Sequence, residues 1–455
     1  MNGVAIEKGP QNWQILQQKD GFADVSLAGT VEILEEIMEK SPRVVVQLLD
    51  ENSGANMIPP VITEIINGRW QTSFLAPLGG LYTIRTFLRY GERDMLRGDI
   101  ISHIGVGDLY LIAGQSNAEG NGKNSVYDPI SDKVHVLKLN GRWDIASHPL
   151  NDNTDSKYGR YIAVGYHTPW LQFAKILNAR LGYPIGLIPS AQGGVPLSFW
   201  DKSENGELFD DMMDIVKIAG GRIKGILWYQ GCNDTGSKAK RTTYFTRFKK
   251  VCGDIRNTLN DTIPFLTVQL NKTTYFGNAD REEIATQWAD IREAQRKAMH
   301  EIENVYMVPS IDLTVCDTIH NSSFSNLVIG ERIANTALHY IYGQSVLCDA
   351  PDIESAYLKD TKTVCLVFKN VYDAIATDYY FADALPFVME SENKKYYIKD
   401  YTCPGNNTIL LRFQQDVTLP ATIGCTKYSE SGFMPYDLAT RLPIIPFSDV
   451  NVDYE

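Results

Sequence analysis

The chain has 455 residues, of which 44% are hydrophobic and 22% charged, a composition typical of a globular protein with two or three domains. Its net charge of -12 argues against nonspecific binding to nucleic acid or to an anionic membrane, because both attract basic surfaces. No segment approaches the roughly 18 consecutive apolar residues that a membrane-spanning helix needs.

The seven cysteines are scattered, and none forms a Cys-x-x-Cys pair. This pattern predicts neither a zinc-cysteine site nor a disulfide framework, and it is typical of reduced thiols in the cytosol. The N-terminal residues 1–8 lack the basic and apolar segments of a signal peptide. We therefore expect a cytoplasmic protein, and a secreted form whose signal peptide has been removed is the alternative.

The first 105 residues predict a β-rich domain. Runs rich in β-branched and aromatic residues, such as 44–49 and 81–87, are separated by Gly and Pro. One short helix is expected at 33–38. The pattern is typical of strands joined by tight turns.

Residues 106–345 alternate between strands and helices. This alternation predicts a parallel sheet that helices cover on both sides. Residues 346–455 return to a β-rich pattern, with strands expected at 363–368 and 408–413. The central strands are expected at 184–188, 223–229, 264–270 and 305–308, and the helical apolar stripes at 170–181, 245–259, 284–298 and 333–341.

Four short polar blocks each follow a predicted strand or lie in the loop after one. Parallel strands all end at one edge of a sheet, and open α/β sheets bind their ligands at that edge. We therefore expect the four blocks to converge. They are 114–117 (Gly-Gln-Ser-Asn), 190–194 (Ser-Ala-Gln-Gly-Gly), 230–234 (Gln-Gly-Cys-Asn-Asp) and 317–320 (Asp-Thr-Ile-His).

The first and fourth blocks predict a serine hydrolase. A serine becomes a good nucleophile only when a base takes its proton, and His320 is the candidate base for Ser116. Asp317, three residues before His320, would hold the imidazole in the productive tautomer and stabilise the imidazolium. The three residues thus predict a Ser-His-Asp triad.

Ester hydrolysis also places negative charge on the carbonyl oxygen, and this oxyanion needs preorganised hydrogen-bond donors. Glycine suits the task because its backbone can approach a substrate without a Cβ atom in the way. The candidate donors are the backbone N–H of Ser116, an N–H of Gly193 or Gly194, and the side-chain amide of Asn233.

Two rival assignments use other residues. Asp132 and His135 have the same three-residue spacing, but they lead into a predicted strand soon after the first block, which favours a surface role. Cys232 is a rival nucleophile, although a packing role is commoner for a cysteine.

Together the four blocks resemble those of the SGNH hydrolase superfamily. The Gly-Gln-Ser-Asn block, with the Trp-x-Gln-Gly run at 228–231, resembles its sialate O-acetylesterase branch. Further similarity at 17–18, 288–295 and 442–447 extends the resemblance over nearly the whole chain. It implies a flavodoxin-like three-layer αβα catalytic domain with flanking β-sandwich-like regions. It also implies removal of acetyl groups from sugar hydroxyls without a metal or cofactor.

By this resemblance Ser116 matches the nucleophile, and Asp317 and His320 match the rest of the triad. Gly194 or Gly193 and Asn233 match the oxyanion hole. Two positions depart from sialate-esterase relatives, which usually have Glu at the position of Cys232 and often have Met at that of Ala118. The departure at Cys232 moves the expected substrate toward acetylated oligosaccharides from mannan or xylan, with O-acetyl sialic acid as the other candidate.

Five further residues are predicted to bind the substrate. Trp200 could stack on a sugar ring, and burial in the core is the alternative. The loop at 143–170 is rich in Asn, Asp, Gly and Tyr, and long loops at a catalytic edge are usual binding elements. The five residues are Gln115, Asn117, Gln230, Trp200 and His167.

The sequence thus predicts a carbohydrate O-acetylesterase whose partner is a small acetylated saccharide. No nucleic acid, membrane, metal or cofactor is expected, and a homo-oligomer is left open. An SGNH lipase or thioesterase is a second reading, but it would need an apolar acyl channel. A catalytically silent sugar-binding protein is a third, and the four intact blocks disfavour it.

Overall fold

The structure is a computed structural model that describes residues 3–33, 35–152, 154, 156, 158, 165–274, 280–378, 385–392, 394–427 and 433–455. Its central part is a parallel α/β layer structure, and β-sheets flank it on both the N-terminal and C-terminal sides, which confirms the predicted fold class. Within these residues, no helix is both long and apolar enough to cross a membrane.

The N-terminal region is built from strands and one short helix, as predicted. Strand Phe22–Glu32 alternates between buried and exposed side chains, because Ala23, Val25 and Leu27 point into the core on every second position. The elements are β1 Gly3–Lys8, β2 Ile15–Gln17, β3 Phe22–Glu32, α1 Glu35–Met38, β4 Arg43–Asp50, β5 Val61–Glu64, β6 Arg69–Pro77, β7 Gly79–Tyr90 and β8 Arg93–Gly114.

Strand β8 joins the N-terminal region to the central sheet. Its first half pairs antiparallel with β7, and its second half lies between two parallel strands of the central sheet. One strand therefore runs through the limit predicted between residues 105 and 106. The hydrophobic cores on either side of it are separate clusters. The domain limits remain predictions.

The central sheet has the strand order β10-β9-β11-β8-β12-β13-β14. All neighbours are parallel except the edge strand β10, which is antiparallel to β9. Helices α3 and α7 pack together, as do α5 and α6. The elements are α2 Ser116–Glu119, β9 Val134–Leu137, β10 Trp143–Ile145, α3 Trp170–Leu181, β11 Ile185–Pro189, α4 Glu207–Ile218, β12 Gly225–Tyr229, α5 Lys238–Leu259, β13 Phe265–Val268, α6 Arg281–Glu301, β14 Val305–Val308 and α7 Ser323–Tyr340.

The four predicted central helices are confirmed as α3, α5, α6 and α7. Helix α4 was missed, although it carries the same kind of signal. Leu208, Met212 and Ile215 recur at helical spacing and are buried, which is the pattern of a helix with one apolar face.

The C-terminal region forms three small sheets around a core of its own. Long-range hydrogen bonds attach it to the central α/β region, among them the bond from Arg292 Nη2 to the Thr426 carbonyl at 3.1 Å. The strands are β15 Asp352–Asp360, β16 Thr363–Lys369, β17 Ile375–Ala376, β18 Phe387–Ser391, β19 Lys394–Tyr396, β20 Ile398–Thr402, β21 Thr408–Phe413, β22 Thr422–Cys425, β23 Tyr436–Asp437, β24 Val450–Asn451 and β25 Asp453–Tyr454.

Candidate active site

The four polar blocks lie at the same edge of the central sheet. Ser116 begins α2 directly after β8, and the second and third blocks follow β11 and β12. The fourth block lies between β14 and α7. Because these strands are parallel, the loops after them meet at one edge, which is the convergence that the sequence predicts.

Ser116, His320 and Asp317 form a continuous hydrogen-bonded chain. His320 Nε2 lies 2.9 Å from Ser116 Oγ, and His320 Nδ1 lies 2.8 Å from Asp317 Oδ2. One imidazole nitrogen thus faces the serine while the other faces the carboxylate. This is the arrangement in which an imidazole can take a proton from a serine hydroxyl and an aspartate can stabilise the resulting imidazolium.

Asp317 is held ionised by its surroundings. Burial alone would raise its pKa, but Lys123 Nζ at 2.7 Å from Oδ2 and the N–H groups of Ile319 and His320 outweigh burial and hold the pKa well below its usual range. The carboxylate therefore stays negative over the physiological pH range. Lys123 was not identified from the sequence, since 194 residues separate it from Asp317.

Asparagine side chains attach the fourth block to the first. Asn117 Oδ1 accepts the Asn321 N–H at 3.0 Å, and its Nδ2 donates to the Ile319 carbonyl at 3.2 Å. The side chain of Ser322 then caps the N-terminus of α7. Asn117 is 3% exposed, and these bonds use both ends of its amide, so its observed role is to position the His320 loop.

Gln115 and Gln230 connect the first and third blocks. Gln115 Oε1 accepts the N–H groups of Gly231 at 3.0 Å and Asn233 at 3.3 Å, and the side chain also borders the cavity beside Ser116. Gln230 is completely buried and its Nε2 donates to Asp234 Oδ2 at 2.7 Å. The prediction that Gln230 contacts substrate is therefore wrong, because no part of its side chain reaches the cavity.

The predicted oxyanion donors lie beside the nucleophile. A Cβ atom built on Gly193 would stand 3.7 Å from Ser116 Cβ, so the backbone of Gly193 adjoins the serine side chain. Asn233 Nδ2 donates to the Gly194 carbonyl, which leaves the second hydrogen of the amide for another acceptor. Gly194 has a positive φ of 73°, a conformation that glycine adopts without strain.

These groups line a cavity of about 550 Å³. The cavity also contains two side chains with chemistry of their own, Glu119 and Cys232. Burial raises the pKa of the Cys232 thiol to about 12, so the thiol is protonated and is a poor nucleophile. Glu119 was missed in the sequence, where the available signal was an acidic residue at the end of the short helix that Ser116 begins.

Two predicted binding residues lie away from this cavity. Trp200 is completely buried, and its ring packs edge-on against Trp228 with 5.2 Å between centroids. The stacking-platform prediction is therefore wrong, because neither ring face is open to a ligand. His167 is 7% exposed and contacts Asp128 rather than the catalytic residues. The prediction that it lines the active site is likewise corrected.

The rival pair also has a structural explanation. His135 is completely buried, and its two ring nitrogens contact the backbone carbonyls of Trp13 at 2.6 Å and Asp132 at 2.8 Å. The ring therefore contacts the Asp132 backbone and not the Asp132 carboxylate, which a catalytic pair would require. His135 packs the N-terminal loop against the edge of the sheet.

Comparison with known proteins agrees with this fold. The sequence model of a family described as carbohydrate esterase, sialic acid-specific acetylesterase, matches residues 106–339. A probable carbohydrate esterase of Arabidopsis thaliana is 26% identical over 263 residues, which is 53% of this chain and 94% of that protein. A crystal structure of a carbohydrate acetylesterase from Xanthomonas citri has a TM-score of 0.65 at 19% identity, covering 97% of this chain and 99% of that one.

The fold and the four blocks define a carboxylic ester hydrolase. Since the family model matches more than half of the chain, the chain belongs to the carbohydrate esterase family described as sialic acid-specific acetylesterase. The Xanthomonas citri structure shares the fold along nearly the full chain, and this includes the flanking sheets.

Proposed function

We propose that the protein removes acetyl groups from sugar hydroxyls through a Ser116-His320-Asp317 triad and an acetyl-enzyme intermediate. The observation that carries the proposal is the hydrogen-bonded chain from Ser116 Oγ through His320 to Asp317, with links of 2.9 and 2.8 Å. Membership of the carbohydrate esterase family supports the acetyl ester as the substrate bond.

In the first half-reaction Ser116 Oγ attacks the acetyl carbonyl carbon while His320 Nε2 takes the serine proton. Asp317, already ionised, stabilises the imidazolium. When the tetrahedral intermediate collapses, the bond between the acetyl carbon and the sugar oxygen breaks, and His320 returns the proton to that oxygen. The sugar leaves with a free hydroxyl, and the acetyl group remains on Ser116.

In the second half-reaction His320 takes a proton from water, and the hydroxide attacks the acetyl carbon. Collapse releases acetate and returns the proton to Ser116. Both half-reactions develop an oxyanion, which the N–H groups of Ser116 and Gly193 and the amide of Asn233 would stabilise. Ser116 N–H lies in the first position of a helix, where a backbone donor has no intrahelical acceptor.

Polar side chains around the cavity beside Ser116 support a saccharide as the substrate class. Gln115, Gln192, Glu119 and Asn121 provide hydrogen-bonding groups around it, which suits a hydroxylated ring better than a long acyl chain. We propose an acetylated saccharide, either an oligosaccharide derived from mannan or xylan or an O-acetyl sialic acid. The cytoplasmic location expected from the sequence would restrict the substrate to molecules small enough to enter the cell.

The test is acetate release by the wild type and by Ser116→Ala. The panel contains acetylated manno- and xylo-oligosaccharides, O-acetyl sialic acid, and nitrophenyl esters with acyl chains of two and eight carbons. We expect release from one sugar class and its loss in Ser116→Ala. Ser53→Ala is the matched control, because that hydroxyl donates to Asp50 and accepts the Ala55 N–H within an exposed turn.

Two results would contradict the proposal. Acetate release that survives in Ser116→Ala would remove the serine from the mechanism. Activity confined to the eight-carbon ester would instead indicate a lipase, which recognises the acyl chain rather than the sugar.

A further inference from the structure

We propose that Asp128, His148 and His167 form a binding site for a divalent transition-metal ion, with zinc as the best match. The three residues come from separate segments between α2 and α3. They lie outside the cavity that holds Ser116, and the triad does not use them. We call them the Asp128 cluster.

The geometry of the Asp128 cluster is close to that of a zinc site. His148 Nε2 lies 2.9 Å and His167 Nε2 lies 3.1 Å from Asp128 Oδ2, and one ligand atom of each residue lies within 4.8 Å of the others. In a tetrahedral zinc site with bonds of 2.0–2.1 Å, neighbouring ligand atoms are about 3.3 Å apart. The two distances to Asp128 Oδ2 are therefore within a few tenths of an ångström of the separation in a zinc site.

The donor set also suits the ion. Two imidazole nitrogens and one carboxylate oxygen are the protein ligands of many three-ligand zinc sites, in which the remaining position is open. The cluster borders a cavity of about 500 Å³, so water or a small ligand could take that position. The site would thus be of the open type.

The two rings can change tautomer without losing other contacts. Nδ1 of His148 and Nδ1 of His167 are buried and have no hydrogen-bond partner in the described part of the chain. Each ring therefore forms its hydrogen bond through Nε2, and the two rings also pack against each other with 4.1 Å between centroids. Moving the hydrogen from Nε2 to Nδ1 would expose the Nε2 lone pair to a metal while breaking only the bond to Asp128.

Lys175 sets the expected strength of binding. Its ammonium group contacts Asp128 Oδ1, which orients the carboxylate and leaves Oδ2 for the ion. The same positive charge repels a cation a few ångströms away. We therefore expect micromolar affinity rather than the much tighter binding of structural zinc sites, whose ligands are not opposed by a nearby cation.

Metal binding would stabilise the segments next to the Ser116 loop. His167 and Gly122 exchange two backbone hydrogen bonds of 3.1 Å, and Asn326 Nδ2 donates to the His167 carbonyl at 2.8 Å. Gly122 lies six residues after Ser116, so an ion in the cluster would fasten the segment that follows the nucleophile to the loop that carries His148 and His167. The inferred role is structural, and it is separate from acyl transfer.

The first test is calorimetric titration of chelator-treated wild-type protein with zinc chloride. We expect one equivalent to bind with micromolar affinity and the melting temperature to rise by several degrees. His148→Ala and His167→Ala should each weaken binding at least tenfold. His103→Gln is the matched control, because His103 pairs with Glu51 at 2.8 Å but has no third ligand among the residues that the structure describes. This variant should bind zinc as the wild type does.

A second test needs no variant. Cobalt(II) titrated into the wild type should give visible absorption bands of a four-coordinate site without the near-ultraviolet band of a thiolate ligand. Binding of less than one equivalent of zinc, equal affinity in His148→Ala and the wild type, or a thiolate band that shows cysteine ligation would each overturn the proposal.

Discussion

The catalytic centre and the Asp128 cluster both place histidine against an aspartate, but the two regions differ in what faces the second ring nitrogen. His320 contacts Asp317 through Nδ1 and presents Nε2 to Ser116 at 2.9 Å. His148 and His167 contact one carboxylate through Nε2, and their Nδ1 atoms have no hydrogen-bond partner among the described residues. The first arrangement is suited to proton transfer to and from a nucleophile, whereas the second is suited to binding a metal ion.

Two further histidines in the molecule also contact a carboxylate. His103 lies 2.8 Å from Glu51, and His300 lies 2.8 Å from the buried Asp352, and both are far from the catalytic cavity. A histidine against a carboxylate is therefore a common structural contact in this molecule. The position of Ser116, rather than the Asp-His contact itself, distinguishes the proposed catalytic centre.

The largest expected effect is that of Asp317→Asn. This substitution leaves the side-chain shape but removes the negative charge opposite His320, and we expect kcat for acetyl ester hydrolysis to fall by about 10³–10⁴-fold. Glu51→Gln, which makes the same change at the His103 pair, should leave kcat within about twofold. A fall in kcat of less than about tenfold in folded Asp317→Asn would contradict the prediction, because Asp317 would then matter no more for hydrolysis than Glu51 does.

Asn233→Ala should have the next largest effect. Loss of one oxyanion donor lowers kcat by about 10²–10³-fold in hydrolases of this mechanism. We expect such a fall in kcat with little change in KM. If Asn233 served only to hold the Gly194 carbonyl, both constants would stay near their wild-type values, and that result would remove Asn233 from the oxyanion hole.

Trp200→Phe should affect stability rather than activity. The ring fills the core beneath the catalytic edge, so a smaller ring should lower the free energy of unfolding by about 1–2 kcal/mol. KM for the saccharide should be unchanged. A severalfold rise in KM without a loss of stability would show that Trp200 takes part in sugar binding after all.

The smallest expected effect is that of Lys123→Met on the pH dependence of stability. Lys123 helps to hold the pKa of Asp317 below its usual range, so its contribution is present above the unfolded-state pKa of about 3.9 and disappears as the pH falls toward the folded-state pKa. Lys123 is 46% exposed and solvent screens the pair, so we expect about 0.5 kcal/mol at pH 6.

Urea denaturation of the wild type and Lys123→Met between pH 2.5 and 6 measures this difference. The gap should begin to close only as the pH falls toward the lowered pKa of folded Asp317, and it should vanish at every pH in an Asp317→Asn background. A gap that persists in the Asp317→Asn background would mean that Lys123 stabilises the fold by some route other than the Asp317 charge.

Much of the catalytic edge could be predicted from the sequence. The helical and strand periodicities identified a parallel sheet, and parallel strands necessarily end at one edge, so Ser116, Asp317 and His320 could be expected to meet despite their separation along the chain. Periodicity also identified the buried faces of α3, α5, α6 and α7. Periodicity could not predict which groups cover each face. Trp200 is an example, because an aromatic side chain after one of the polar blocks fits a cavity wall and a hydrophobic core equally well.

The sequence by itself determined the order in which the four polar blocks follow the strands and the residue types that they contain. It also determined the family that these blocks resemble. Only the tertiary structure decided that Lys123 contacts Asp317, that Gln230 and Trp200 are buried, and that Asp128, His148 and His167 come together. These contacts join segments 20 to 194 residues apart. The spacing of residues within a short segment cannot predict such contacts, because the packing of the whole chain brings these side chains together.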